Sequence, residues 1–196
     1  MFSELKRLGE WPHPNPLEGL PQFKIEDTEL AFLYPEEIPI VLQECANAEY
    51  EHLTTIVLIC LATGCRWSEA EGLSGSQIAH NRITFVKTKG KKNRTVPIAK
   101  DLVDKIPRAR GKLFRPCRKA FERAIKRTKL QFPDGQMTHI LRHTFASHFM
   151  MNGGNILVLK QILGHADIKD TMRYAHFAPD HLDDAITKNP IAEMLK

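Results

Sequence analysis

From Leu53 to Gly64 the chain reads L-T-T-I-V-L-I-C-L-A-T-G, with Leu53, Ile56, Val57, Ile59, Cys60 and Leu61 leaving almost no polar face. A helix that is apolar nearly all round is stable only when other elements cover it, so the pattern predicts a central helix over residues 51–62 that stops at Gly64. Cover is available on both sides. A helix opens at Tyr34-Pro35-Glu36-Glu37 with Ile38, Ile40, Val41, Leu42 and Cys45 as its apolar side, and Pro116 opens another with Ala120, Phe121, Ala124 and Ile125 facing inward. Residues 100–113 read as a short helix followed by a Pro-Arg-Gly loop. Arg82-Ile83-Thr84-Phe85-Val86 and Arg94-Thr95-Val96-Pro97-Ile98 alternate and are β-branched around Gly90, which predicts a hairpin with a basic tip that includes Lys87, Lys89, Lys91 and Arg94. The expected class is mixed α/β, mainly α-helical, with a small antiparallel β-hairpin on one side.

The densest chemistry lies between Thr138 and Phe177. Apolar positions recur at helical spacing behind Thr138, the expected N-cap, and put His139 and Arg142 on one face of the first turn. Asn152-Gly153-Gly154 ends that helix. Asn155 starts a second, Gly164 stops it, and a third follows His165 with Asp167 as its expected cap and Tyr174 inside it. Polar groups thus fall at element ends while the middles are apolar, an arrangement suited to holding Arg, His and Tyr around one small anion. A phosphodiester under attack gathers negative charge on its non-bridging oxygens, and the guanidinium fork matches that geometry bidentately. Tyrosine is a suitable nucleophile there, provided that cations or a base offset its ordinary pKa of about 10.

The segments H-I-L-R-H-T-F-A-S-H, L-G-H and R-Y-A-H resemble the C-terminal signature of the tyrosine recombinases, in particular those of temperate-phage integrases. T-G-C-R-W-S-E-A-E-G-L resembles the first box of the same family, and K-T-K-G followed by R-T-V-P resembles its β-hairpin. The resemblance implies that Arg66 and Arg142 hold the scissile phosphate and that Glu69 orients the basic groups. It further implies that Lys89 protonates the leaving 5′-oxygen, that His139 and His165 bond the phosphate and move protons, and that Tyr174 is the nucleophile. Strand exchange would run through a 3′-phosphotyrosine that conserves bond energy, needing neither metal nor nucleotide cofactor. The implied partners are double-stranded DNA attachment sites, accessory DNA-bending proteins, and further copies of the chain as a dimer in isolation and a tetramer on DNA.

Family members carry an N-terminal helical domain, so the resemblance casts residues 30–177 as a catalytic domain. Residues 1–29, with Pro12, Pro14, Pro16 and Pro21, read as an extended arm or interdomain linker; residues 178–196 suit a frayed terminus as well as a packed tail, and the resemblance implies a tail that packs on a neighbouring subunit. A hydrophobic content of 42% is ample for a core, and the net charge of +5 is unevenly spread. Eleven Lys and Arg stand between Lys105 and Lys129 against the single acid Glu122. Alone that run suits a solvated helix face; beside the site it suits a polyanion. Cys45, Cys60, Cys65 and Cys117 form no C-x-x-C pair and read as mostly buried reduced thiols, and no apolar run approaches the ~18 residues of a membrane span, so a soluble intracellular protein is expected, which the resemblance places in the cytoplasm of a bacterial host. His139 and His143 are spaced as an i, i+4 zinc pair, but Ile140 stands where such hydrolases need a glutamate. Two further readings use the same residues: a DNA-relaxing topoisomerase of the same chemistry, and a helical DNA-binding regulator in which Arg, His and Tyr are structural.

Overall fold

The computed structural model describes residues 2–16, 18, 30–86, 93–133, 137–179, 184–187 and 189–192. Ten α-helices and three strands occur among them. The apolar run forms α3 (Leu53–Thr63), whose Leu53, Ile56, Val57 and Ile59 are fully buried. Complete burial of each such side chain stabilises by roughly 1.5–3 kcal/mol, so α3 is a fixed axle and its C-terminal end is a rigid place to hang a site. Thr63 Oγ1 donates to the Ile59 carbonyl within the helix at 2.7 Å, and Thr55 Oγ1 donates to the Lys105 carbonyl beyond it at 3.4 Å. Gly64 takes the left-handed conformation (φ 61°), and a Cβ there would lie 2.4 Å from Phe145 and 2.7 Å from Leu163, so both the turn and the packing demand glycine.

Around this axle α2 (Glu37–Ala46) packs on α3 and on α6 (Arg118–Thr128), while α7 (Ile140–Met151) lies along α3. The short α4 (Trp67–Glu71) follows α3 directly. Trp67 stacks on Phe121 of α6 with ring centroids 4.6 Å apart, and Glu71 accepts from both Trp67 Nε1 and the Cys117 backbone N–H. That joint fixes where Arg66, the residue before α4, emerges. The segment before α2 is laced to α7: Leu33 N–H donates to Thr144 Oγ1, and the Leu33 carbonyl accepts from His148 Nε2, each at 2.8 Å.

The sheet is antiparallel, ordered β1 (Ile78–Ala79), β2 (Arg82–Phe85), β3 (Arg94–Pro97), with Ile83 opposite Val96 and both buried. The hairpin agrees with the sequence reading, but β1 was not foreseen, because two residues carry no usable alternation. Its tip, including Lys89, lies outside the described residues. Arg94 does not belong to that tip: it is buried, 4.5 Å from the Phe85 ring centroid. Phe2–Arg7 form a helix, α1, where the prolines led us to expect an extended arm; the first proline is Pro12, five residues after the helix ends. Two short elements follow the hairpin and the site respectively, α5 (Lys100–Val103) and α10 (Asp184–Thr187). The four cysteines are free and buried.

Candidate active site

Each candidate side chain stands at the end of an element. Arg66 is the extended N-cap of α4, and its backbone N–H donates to Glu69 Oε2 at 2.8 Å, so the carboxylate caps the helix and fixes the arginine's backbone. Its guanidinium is exposed and only 3.7 Å from Glu69 Oε1. The other demand on Glu69 comes from Arg94, whose two terminal nitrogens donate to the two carboxylate oxygens at 2.8 and 2.7 Å while Nε donates to the Ile162 carbonyl. Burial works to raise the Glu69 carboxyl, but the bonds from Arg94 and from the Arg66 N–H outweigh it and hold the group at about 2. Glu69 is thus ionised throughout the physiological range. Its orienting role falls chiefly on Arg94, a residue the sequence reading had assigned to the hairpin tip.

Arg142 lies in the first turn of α7, with His139 as the N-cap in place of the expected Thr138. The side chain is 4% exposed. Its Nη1 donates to the Gly64 carbonyl at 2.8 Å and Nη2 to the Leu163 carbonyl at 2.9 Å, the former at the end of α3 and the latter at the last residue of α8 (Ile156–Leu163). Nη2 also lies 2.8 Å from His165 Nε2. A guanidinium can only donate, so Nε2 accepts and His165 carries its proton on Nδ1, which donates to buried Thr171 Oγ1 at 2.8 Å. Thr171 belongs to α9 (Lys169–Met172), anchored by Asp167 Oδ1 accepting from Lys169 N–H. Burial and the Arg142 charge push the His165 imidazole down to about 4, in keeping with a neutral acceptor. Among the described residues no carboxylate pairs with Arg142. Burial, then the Arg66 charge, pulls its guanidinium down to about 10, which marks a cation short of an anion.

His139 is exposed, and burial of part of the ring followed by the charges of Arg142, Arg66 and Arg118 lowers its pKa. Tyr174 falls just beyond α9 rather than inside it, at the N-cap of a 3₁₀ turn, Ala175–Phe177. It is 1% exposed, and its hydroxyl lies 2.7 Å from His143 Nδ1. Burial raises the phenol, while the charges of Arg142 and Arg173 lower it. Five of the six candidates therefore belong to one electrostatic neighbourhood, Arg66, His139, Arg142, His165 and Tyr174, with Lys89 outside the described residues. Sequence reasoning missed Arg94, Thr171 and the contact of His143 with Tyr174. The R-T-V-P strand pattern was a signal for Arg94, since a buried strand position bearing Arg needs a partner; Thr171 offers none.

A family model described as the phage integrase family matches residues 31–113 and 108–181. The integrase of Haemophilus phage HP1 is 58% identical across 98% of this chain and 57% of its own length, and that of Escherichia phage 186 is 55% identical across 99% and 58%. The chain thus spans somewhat over half the length of these curated relatives. The solved catalytic domain of bacteriophage HP1 integrase superimposes with a TM-score of 0.81 and 59% identity, covering 84% of this chain and 98% of that one. The XerH site-specific recombinase bound to its difH substrate shares the fold alone, at TM-score 0.60 and 22% identity over 80% of this chain and 52% of its own. With more than half its residues matched by the family model and a phage integrase at 58% identity along nearly its whole length, the chain belongs to the phage integrase family.

Proposed function

We propose that the chain cleaves and rejoins double-stranded DNA by site-specific strand transfer, integrating or excising phage DNA in a bacterial host. The observation that carries this reading is Arg142, a buried guanidinium fixed by two backbone carbonyls and a neutral imidazole and, among the described residues, left without a carboxylate. A charge so placed is costly unless an anion completes it, and Arg66 adds a second cation on the open side. A phosphodiester supplies the missing charge. Tyr174 Oη attacks phosphorus, the P–O5′ bond breaks, and the 5′-oxygen takes a proton, a role we assign to Lys89. A partner strand's 5′-hydroxyl then attacks the phosphotyrosine and frees Tyr174. Arg66 and Arg142 bond the non-bridging oxygens as charge develops, and His139 adds a donor from the exposed side. His165 acts through Arg142, whose Nη2 it holds with Nε2 as acceptor.

The reading extends to assembly as a dimer in isolation and a tetramer on DNA, aided by accessory DNA-bending proteins. An open apolar groove of about 790 Å³ between α2, α3, α5 and α7, lined by Ile38, Leu42, Leu58, Phe145 and Phe149 among others, suits the tail (residues 178–196) of a second copy. To test the chemistry, the protein is incubated with nicked duplexes of randomised sequence that lose a short 5′-hydroxyl fragment on cleavage. An SDS-stable protein–DNA band, with a recurring sequence among the captured strands, is expected. A topoisomerase would give the band without strand exchange to a second duplex, and a non-enzymatic regulator would give no band.

A further inference from the structure

His143 has no place in the mechanism so far, yet among the described residues it makes the one hydrogen bond to the Tyr174 hydroxyl. The residue follows Arg142 on α7, is buried, and puts Nδ1 2.7 Å from Tyr174 Oη. A phenol is a stronger acid than a neutral imidazole N–H, so the tyrosine O–H donates and Nδ1 accepts. The ring's proton then sits on Nε2. Resting on the strand-transfer reading above, we infer that His143 is the general base of the first step: as Tyr174 Oη bonds to phosphorus, its proton passes to His143 Nδ1.

The balance is complete without a further reactant. The Oη–H and P–O5′ bonds break while the Oη–P bond and, with the proton assigned to Lys89, the O5′–H bond form; in the second step the incoming 5′-hydroxyl gives its proton to Lys89 as it displaces tyrosine, and the imidazolium returns its own to Oη. The charged and titratable groups facing the ring are His139 and Arg142 from its own helix, and Tyr174 with Arg173 from the segment packed against it. In the free protein burial, then His139, Arg173 and Arg142, push His143 down to about 4, so it is an unprotonated acceptor at neutral pH. A bound phosphate offsets those cations and raises the proton affinity of the imidazole at the moment a proton must be taken. The base is therefore weak until substrate arrives, which keeps the buried tyrosine neutral beforehand. His139, exposed and with no recorded bond to Tyr174, and His165, whose Nε2 is held by Arg142, are less well placed for the task.

The test uses a duplex captured by the wild-type chain from the randomised nicked library, read as single-turnover formation of the SDS-stable adduct. His143→Asn keeps an acceptor near the Nδ1 position but cannot take the proton. The expected result is a rate lower by roughly 10²-fold or more at neutral pH, rising about tenfold per pH unit as hydroxide replaces the base, against a flat wild-type profile from about pH 6 to 9. A His143→Asn rate within threefold of wild type with a flat profile would overturn the inference and reduce His143 to a packing contact. ¹⁵N spectra of the wild-type imidazoles check the same point without a variant: a proton on Nδ1 of His143, rather than on Nε2, would equally overturn it. Failure of the wild-type chain to form any adduct would be the different failure, that of the strand-transfer reading itself.

Discussion

Arg94 and Arg142 are both buried arginines, 8% and 4% exposed, and both reach back to the backbone of α8, at Ile162 and Leu163. They differ in what answers their charge. Arg94 meets Glu69 through two parallel bonds, so its charge is spent inside the fold. Arg142 meets carbonyls and a neutral imidazole, which orient it without neutralising it. Among the described residues one buried cation is left without a carboxylate partner while its near neighbour is paired, which suits the first to an anion from outside. The pair also separates two ideas often merged, that a buried charge holds a fold together and that it does chemistry.

The sharpest break of this comparison is in stability. Arg94→Ala leaves the part-buried Glu69 carboxylate without its partner and should cost about 3–5 kcal/mol in denaturant unfolding. Arg142→Ala removes a costly buried charge along with three hydrogen bonds, so these terms offset and the net change should stay below about 2 kcal/mol. In adduct formation Arg142→Ala should lose roughly 3 kcal/mol of transition-state stabilisation, and so should Arg66→Ala, although exposed Arg66 should leave stability unchanged within about 0.5 kcal/mol. Lysine at either position should rescue poorly, because the fork is lost. Equal destabilisation by Arg94→Ala and Arg142→Ala would remove the distinction.

Anion binding sharpens it further. Sulfate should raise the melting temperature of the wild-type chain beyond the general salting effect, and Arg142→Ala should show only the general effect. The acid side follows from His143 and His165, both held at about 4 in the fold against about 6.5 in the unfolded chain. Between those values the unfolded state binds more protons, so stability is full above about pH 6.5 and falls as pH drops towards 4. Allowing for solvent screening of the half-exposed His165, the loss from pH 7 to 5 should be about 2 kcal/mol, read as a fall in Tm of roughly 4–8 °C. Ser147 Oγ gives the smallest effect. It is buried without a hydrogen-bond partner among the described residues, so Ser147→Ala should be neutral or stabilising by up to about 1 kcal/mol.

What could be read in advance followed from where the signals are local. The all-apolar run marked α3, Gly64 and Gly164 marked the helix ends, and Asn155 capped α8 through bonds to Leu157 and Val158 N–H, as its residue type suggests. Arg66, Glu69, Arg142 and His165 stood at such ends and were identified for that reason together with the family resemblance. The partner choices were not legible, because they cross the chain. Arg94 reaches Glu69 over 25 positions and Arg142 reaches Gly64 over 78, distances at which no periodicity carries information. Tyr174 was expected within the helix that begins after His165 with Asp167 as its cap; that helix ends at Met172 and the chain tightens into a 3₁₀ turn, with the Tyr174 hydroxyl at His143.

The central claim is that Tyr174 becomes covalently joined to DNA in a cage whose charge is supplied by Arg142 and Arg66. Its most direct test is peptide mass mapping of the captured adduct after nuclease trimming. The account predicts a nucleotide mass on the peptide containing Tyr174, with the phosphate ester on the phenolic oxygen, and no adduct from Tyr174→Phe at unchanged DNA affinity. The same mass on any other residue, or an adduct that persists in Tyr174→Phe, would contradict it.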